Sequence, residues 1–210
     1  MQKSLITVAT LLTAIPLLGQ NYEFGALGGG SFYISKTASG PAGEAKAGFS
    51  PGFTGGVILG QNMYSYIGGE LRYSYLYNGL KLSSGDEKAT FGGEAHAIHY
   101  DLLIHTRPRG AKKRPYIAVG GGAKVYRGTG AETPFQPLSS FALLTKTSEA
   151  RGMLSIGAGI KYTLRDNLQF RVDVHDYFSP FPTEVITPVG TNLGGWIHNI
   201  VPTAGFSITF

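Results

Sequence analysis

Apolar and polar side chains alternate along most of this chain with a period of two residues. In 168–175, Leu168, Phe170, Val172 and Val174 fall on one side, and Gln169, Arg171, Asp173 and His175 on the other. Between 153 and 164, Leu154, Ile156, Ala158, Ile160, Tyr162 and Leu164 oppose Ser155, Gly157, Gly159, Lys161 and Thr163. Residues 67–77 set Ile67, Leu71, Tyr73, Tyr75 and Tyr77 against Glu70, Arg72 and Ser74. This alternation marks strands with two unlike faces, and it replaces the i, i+3, i+4 pattern of helices. It predicts eight strands, at about 22–34, 49–60, 66–77, 89–105, 115–127, 150–164, 168–178 and 198–210.

The connections between these strands are unequal in a regular way. The first, third, fifth and seventh (35–48, 78–88, 128–149 and 179–197) are long and rich in Gly, Pro, Ser and Thr. The second, fourth and sixth (61–65, 106–114 and 165–167) are shorter. An up-and-down barrel places alternate connections at opposite ends, so one end carries long loops and the other carries turns. Membrane barrels of the outer-membrane type have this asymmetry. A soluble barrel lines its cavity with the apolar face, whereas a membrane barrel turns that face outward. Three features favour the membrane form. The polar rows carry both signs of charge. No strand shows the Lys and Glu lacing of a water-facing surface. Aromatics gather near strand ends, with Tyr22, Phe24, Tyr116, Tyr162, Phe170 and Phe210 at one end and Tyr75, Tyr77, Tyr126, Tyr177 and Trp196 at the other. The expected fold is therefore all-β: an eight-stranded antiparallel up-and-down transmembrane β-barrel.

Residues 21–210 resemble the OmpA-like and OmpX-like eight-stranded outer-membrane proteins, without the peptidoglycan-binding domain of longer relatives. The most specific part of the resemblance is the terminal GFSITF, with Phe206, Ile208 and Phe210 on one face. In that family a final strand of this kind is read by the barrel-assembly machinery. The resemblance implies a bacterial outer-membrane location, with outer-membrane lipids and that machinery as partners.

Residues 1–20 read as a cleaved secretory signal peptide, with Lys3 ahead of the apolar run Leu5–Leu18 and a small residue at Gly19. That run is shorter than the roughly 20 residues a membrane-spanning helix needs. The chain has no Cys, which removes disulfides, zinc–thiolate sites and a thiol nucleophile. Its 31 glycines include clusters inside strands, but no helix follows to make a phosphate-binding loop. They read as architectural, letting strands of a small barrel bend and leaving lumen space for Arg and Lys.

The formal net charge is +5, and the turn at 107–114 alone holds Arg107, Arg109, Lys112, Lys113 and Arg114. One basic periplasmic turn thus carries the whole excess, which argues against nucleic acid as a partner. It reads as a solvated turn or as a contact for anionic groups on the periplasmic side.

The lumen-facing rows hold Glu23, Glu70, Arg72, His99, Asp101, Lys124, Lys161, Arg171, Asp173 and His175. The simplest account pairs them into one charge network, since an unpaired buried charge is costly. Glu70 and Asp173 are the expected partners of Arg171. The i, i+2 spacing of His99 with Asp101, and of Asp173 with His175, also suits a metal site or an acid–base pair across the lumen. The reading assigns no catalytic residue, metal or cofactor. The expected function is a closed-lumen surface protein with a structural or adhesion-like role. An extracellular ligand would meet the long loops, through Phe135, Phe141, Phe181 and Trp196 among others. Two alternatives are an outer-membrane lipid-modifying enzyme and a soluble periplasmic ligand-binding barrel. The enzyme family's pattern of a His and a Ser together on an outer face is not matched, because Ser155 and Ser207 fall on the lumen side and His198 has no nearby Ser.

Overall fold

A computed structural model describes residues 21–41 and 43–210. The expected signal segment lies outside the described residues. The strands are β1 (Tyr22–Tyr33), β2 (Lys36–Gly40), β3 (Gly43–Phe49), β4 (Gly52–Gln61), β5 (Ile67–Tyr77), β6 (Leu80–Ser84), β7 (Glu87–Phe91), β8 (Gly93–His105), β9 (Lys113–Gly128), β10 (Ala142–Leu144), β11 (Ser148–Arg165), β12 (Leu168–Pro180), β13 (Ile186–Pro188) and β14 (Trp196–Thr209). Eight of them close an antiparallel barrel in the order β1–β14–β12–β11–β9–β8–β5–β4. Closure runs between the first and last strands, from Glu23 opposite Thr209 to Tyr33 opposite Asn199. A closed sheet leaves no unpaired edge, which is what a β structure needs to cross lipid.

The two faces of the barrel separate cleanly. Leu59, Ile98, Ile117, Val119, Ile156 and Ile208 point outward and are each about half exposed, while Arg72, Lys124, Arg171 and Asp101 are buried inside. An apolar belt of this extent is not a water-facing surface; it is the lipid-facing surface of a transmembrane barrel. Aromatic pairs flank it. Phe53 stacks on Tyr77 at 5.3 Å and Phe178 meets Trp196 at 6.1 Å toward the long loops. Tyr22 and Phe210, and Phe170 and Phe206, pair at the other end. Three expected girdle residues belong elsewhere. Tyr116, Tyr126 and Tyr177 are buried in the lumen, because they share strand parity with the inward-facing charges.

The long connections are themselves folded. β2, β3, β6 and β7 form a four-stranded sheet, and β10 pairs with β13. The inner face of the larger sheet places Ala38, Ala45, Ala47, Phe49, Leu80, Leu82 and Ala89 into one apolar cluster with Leu76, Ala95, Ala97 and Val201 from the barrel strands. The cluster seals the upper lumen as an ordinary hydrophobic core does. Phe141 and Phe181, expected at a contact surface, are buried in it, whereas Phe135 and Trp196 remain exposed.

Candidate functional site

The lower and middle lumen is built around two guanidinium groups that cross it. Arg171 on β12 places Nη1 2.6 Å from Glu70 Oε2 on β5, with Nη2 3.1 Å from Asp173 Oδ2. Arg72 on β5 reaches back, forking onto both oxygens of Asp173 at 3.1 Å each and onto Glu70 Oε1 at 2.9 Å. Planar forks suit this double bridging. The Tyr116 hydroxyl donates to Asp173 Oδ2 at 2.8 Å and accepts from Arg171 Nη2 at 2.6 Å. Thr203 also donates to Asp173, and Lys161 pairs with Glu23. Each of Glu23, Glu70 and Asp173 therefore meets at least one cation directly. Tyr116 and Thr203 were not among the candidates for this network, although Tyr116 alternates in step with Lys124 and Thr203 lies opposite Asp173.

Lys124 does not join this network. Its ammonium is buried with no hydrogen-bond partner among the described residues. It lies 4.5 Å from the centre of the Tyr33 ring, 5.1 Å from Tyr126 and 5.8 Å from Tyr177. Sequence parity places Lys124 in the lumen, but its height puts it in an aromatic box instead of beside a carboxylate.

His99 and Asp101 on β8 and His175 on β12 come together across the lumen, all buried. Asp101 Oδ2 is 3.2 Å from His99 Nε2 and 3.5 Å from His175 Nδ1. Their strand neighbours are glycines: His99 lies opposite Gly122, Asp101 opposite Gly120 and His175 opposite Gly157. A Cβ on Gly157 would stand 2.6 Å from His175 Nδ1, and one on Gly120 would stand 2.4 Å from Asp101 Oδ1. The lumen glycines thus make room for histidine and aspartate beside them, where the sequence suggested room for Arg and Lys.

Ser155 Oγ lies 3.1 Å from His175 Nδ1, but both residues are sealed inside the barrel, beyond reach of an acyl chain in the surrounding lipid. On the outer face, His198 pairs with Asp176 at 2.7 Å and His96 with the Tyr73 hydroxyl at 2.8 Å. Neither contact supplies a serine.

The basic turn is only partly solvated. The Arg114 guanidinium is buried and donates to Asn62 Oδ1 at 2.6 Å and to the Ser65 carbonyl at 3.1 Å. Arg109 donates to Asn21 Oδ1 and to the Asn62 carbonyl, both at 2.5 Å. These two residues line the rim of a cavity at the turn end of the barrel with Asn62, Gln169 and Thr209, and Arg107, Arg109, Lys112 and Lys113 stay exposed. Phe206 and Ile208 of the terminal strand face lipid, and the Phe210 backbone bonds Tyr22 in both directions.

No family model matches the chain, and no curated protein matches it. Solved structures do. Neisserial surface protein A superposes with a TM-score of 0.55 at 12% identity, over 91% of this chain and 98% of that one. The N-terminal β-barrel domain of Pseudomonas aeruginosa OprF gives 0.46 at 16% identity, over 91% and 98%. Ail of Yersinia pestis, solved with the heparin analogue sucrose octasulfate, gives 0.38 at 12%, over 89% and 99%. The likeness to the neisserial protein is one of fold, and with the apolar belt and the closed strand order it makes this chain a small transmembrane β-barrel of the bacterial outer-membrane type.

Proposed function

We propose that this protein is a non-conducting, non-enzymatic outer-membrane barrel that presents a folded platform for contact at the cell surface. The observation that carries the reading is the β2–β3–β6–β7 sheet. Four long-loop strands pack an apolar face onto the barrel core and turn a polar face away from it. On that polar face Thr37, Lys46, Ser83 and Lys88 form one row across the four strands, through the pairs Thr37–Lys46, Lys46–Ser83 and Ser83–Lys88. A pre-ordered sheet loses little conformational entropy on binding, which favours a recognition role over a mobile loop. Outer-membrane lipids along the belt and the barrel-assembly machinery at the terminal strand are the further partners this reading implies.

The test is surface attachment by cells displaying the protein, compared with cells displaying the Lys46→Glu, Lys88→Glu double variant. The barrel core touches neither position, so both proteins should assemble equally. Loss of attachment in the variant supports the platform. Wild-type attachment no higher than that of cells without the protein, variant attachment equal to wild type, or altered lipid A masses in cells that express the protein would overturn the reading.

A further inference from the structure

We propose that the lumen holds a divalent first-row transition ion, bound by His99, Asp101 and His175. The chemistry rests on what each group lacks. Neither oxygen of Asp101 accepts a well-aligned hydrogen bond from a described residue, and neither ring nitrogen of His99 makes one, although its Nε2 lies 3.2 Å from Asp101 Oδ2. His175 turns Nδ1 toward Asp101 and Ser155, while its Nε2, 3.7 Å from Asp173 Oδ1, makes no hydrogen bond to a described residue. All three side chains are at least nine-tenths buried. Buried polar atoms left unmet are rare in folded proteins, and several converging on one point call for an occupant. The other lumen carboxylates are answered by Arg72, Arg171 or Lys161. Among the described residues no lysine or arginine pairs with Asp101.

The spacing suits a metal. Ligand bonds of about 2.0–2.1 Å in a tetrahedral site put neighbouring donor atoms about 3.3–3.4 Å apart. Asp101 Oδ2 lies 3.2 and 3.5 Å from the two nitrogens, and one donor from each residue falls within a 4.8 Å span. Ser155 Oγ, 3.1 Å from His175 Nδ1, borders the same point. Two imidazoles with one carboxylate suit zinc, copper, nickel or iron far better than calcium or magnesium, which prefer all-oxygen shells. Glu70 and Asp173 pair with Arg72 and offset its charge beside the site. The glycines opposite all three ligands keep the point open. Because the site is sealed, the ion enters while the barrel forms, and binding is coupled to folding.

The experiment uses the untagged chain, unfolded in denaturant with a chelator and refolded into detergent micelles with zinc, with cobalt(II) or with neither. Folded protein is recognised by its gel shift before and after boiling. One zinc per folded chain after gel filtration is expected, with visible bands of tetrahedral cobalt in the parallel sample and a higher melting temperature than in the metal-free protein. Asp101→Asn should lose the ion, the cobalt bands and the thermal shift, yet melt no lower than metal-free wild type, since no lysine or arginine among the described residues pairs with the carboxylate it removes. His175→Gln provides a second ligand variant with the same expectation. The His96→Asn, His198→Asn protein should keep the ion, because those histidines lie on the outer face. Wild type that folds with zinc present and carries none would overturn the site, and so would undiminished metal in Asp101→Asn. In either case the contacts of Asp101 with His99 and His175 would suffice without an ion.

Discussion

Arg171 and Glu70 are 101 residues apart in the chain and meet across the lumen with Nη1 2.6 Å from Oε2. The contact ties β12 to β5, which are not neighbours in the barrel. It therefore adds transverse bracing that the backbone ladder does not supply. Arg171→Ala leaves Glu70 with Arg72 and Asp173 with Arg72 and Tyr116, but Glu23 then keeps Lys161 alone. Breaking a fully buried pair costs about 3–5 kcal/mol. The expected loss in unfolding free energy lies at the lower end of that range, because each carboxylate retains at least one partner. A denaturant titration in micelles measures it, and a change below about 1 kcal/mol would show that water fills the lumen and screens the pair.

The same substitution in a double-mutant cycle with Glu70→Gln gives the coupling directly. Residues sharing one network deviate from additivity by about 0.5–3 kcal/mol. The pair variant should be less destabilised than the two single losses together. Strict additivity would mean that the crossing contact contributes nothing of its own.

The eight barrel strands were legible because lipid and lumen impose opposite demands on alternate residues. Leu168, Phe170 and Val172 cannot exchange faces with Gln169, Arg171 and Asp173 without placing charge in lipid. The cap strands were not legible. Lys36–Gly40 buries only Ala38, and Glu87–Phe91 only Ala89, so a single small residue carries the pattern in each. Such segments read as loops. Lumen depth was also hidden. Parity puts Lys124 and Arg171 on the same face, but the register sends one to an aromatic box and the other to carboxylates. Parity was available for Tyr116 and Tyr126, which alternate in step with Lys124. Position near a strand end suggests a girdle for both, but phase decides for the lumen.

Lys124 gives a prediction of opposite sign to Arg171. Its cation–π contacts are worth roughly 2 kcal/mol when desolvated. Burying an ammonium without an acceptor costs several kcal/mol. The cost is the larger quantity, so Lys124→Met should raise the unfolding midpoint while filling much the same volume. A midpoint lowered by the equivalent of more than about 1 kcal/mol would show that the cage of Tyr33, Tyr126 and Tyr177 outweighs desolvation. Lys124→Glu should abolish folding, because it places a carboxylate against the faces of three rings.

Phe210 closes the seam of the barrel. Its amide donates to the Tyr22 carbonyl at 3.0 Å, its carbonyl accepts from Tyr22 at 3.1 Å, and its ring stacks with Tyr22 at 6.4 Å. Deleting Phe210 should cut the heat-modifiable, assembled fraction in cells far more than total synthesis. Refolding into micelles in vitro should suffer less, since two bonds at one strand end are a small part of the ladder. An equal loss in both settings would assign the effect to seam stability and remove the need for recognition of the terminal strand.

The barrel should not conduct. An eight-stranded barrel is just wide enough for its own side chains, and here three barriers stand in series along the lumen. Arg109 and Arg114 are tied to Asn62 at the turn end. Arg72 and Arg171 cross the middle. The apolar cluster of Leu76, Ala95, Ala97 and Val201 lies under the cap sheet. An ion would have to pass all three, and the apolar layer offers it no replacement for water. Planar-bilayer recording of wild type should therefore show no steady current. Arg171→Ala should stay closed as well, because it opens one barrier and leaves two. A variant that joins Arg171→Ala to Arg114→Ala should still be held shut by the cap. Steady current from wild type would mean that the charged rows line a pore, and current from Arg171→Ala alone would mean that the cap and the turn are open to water.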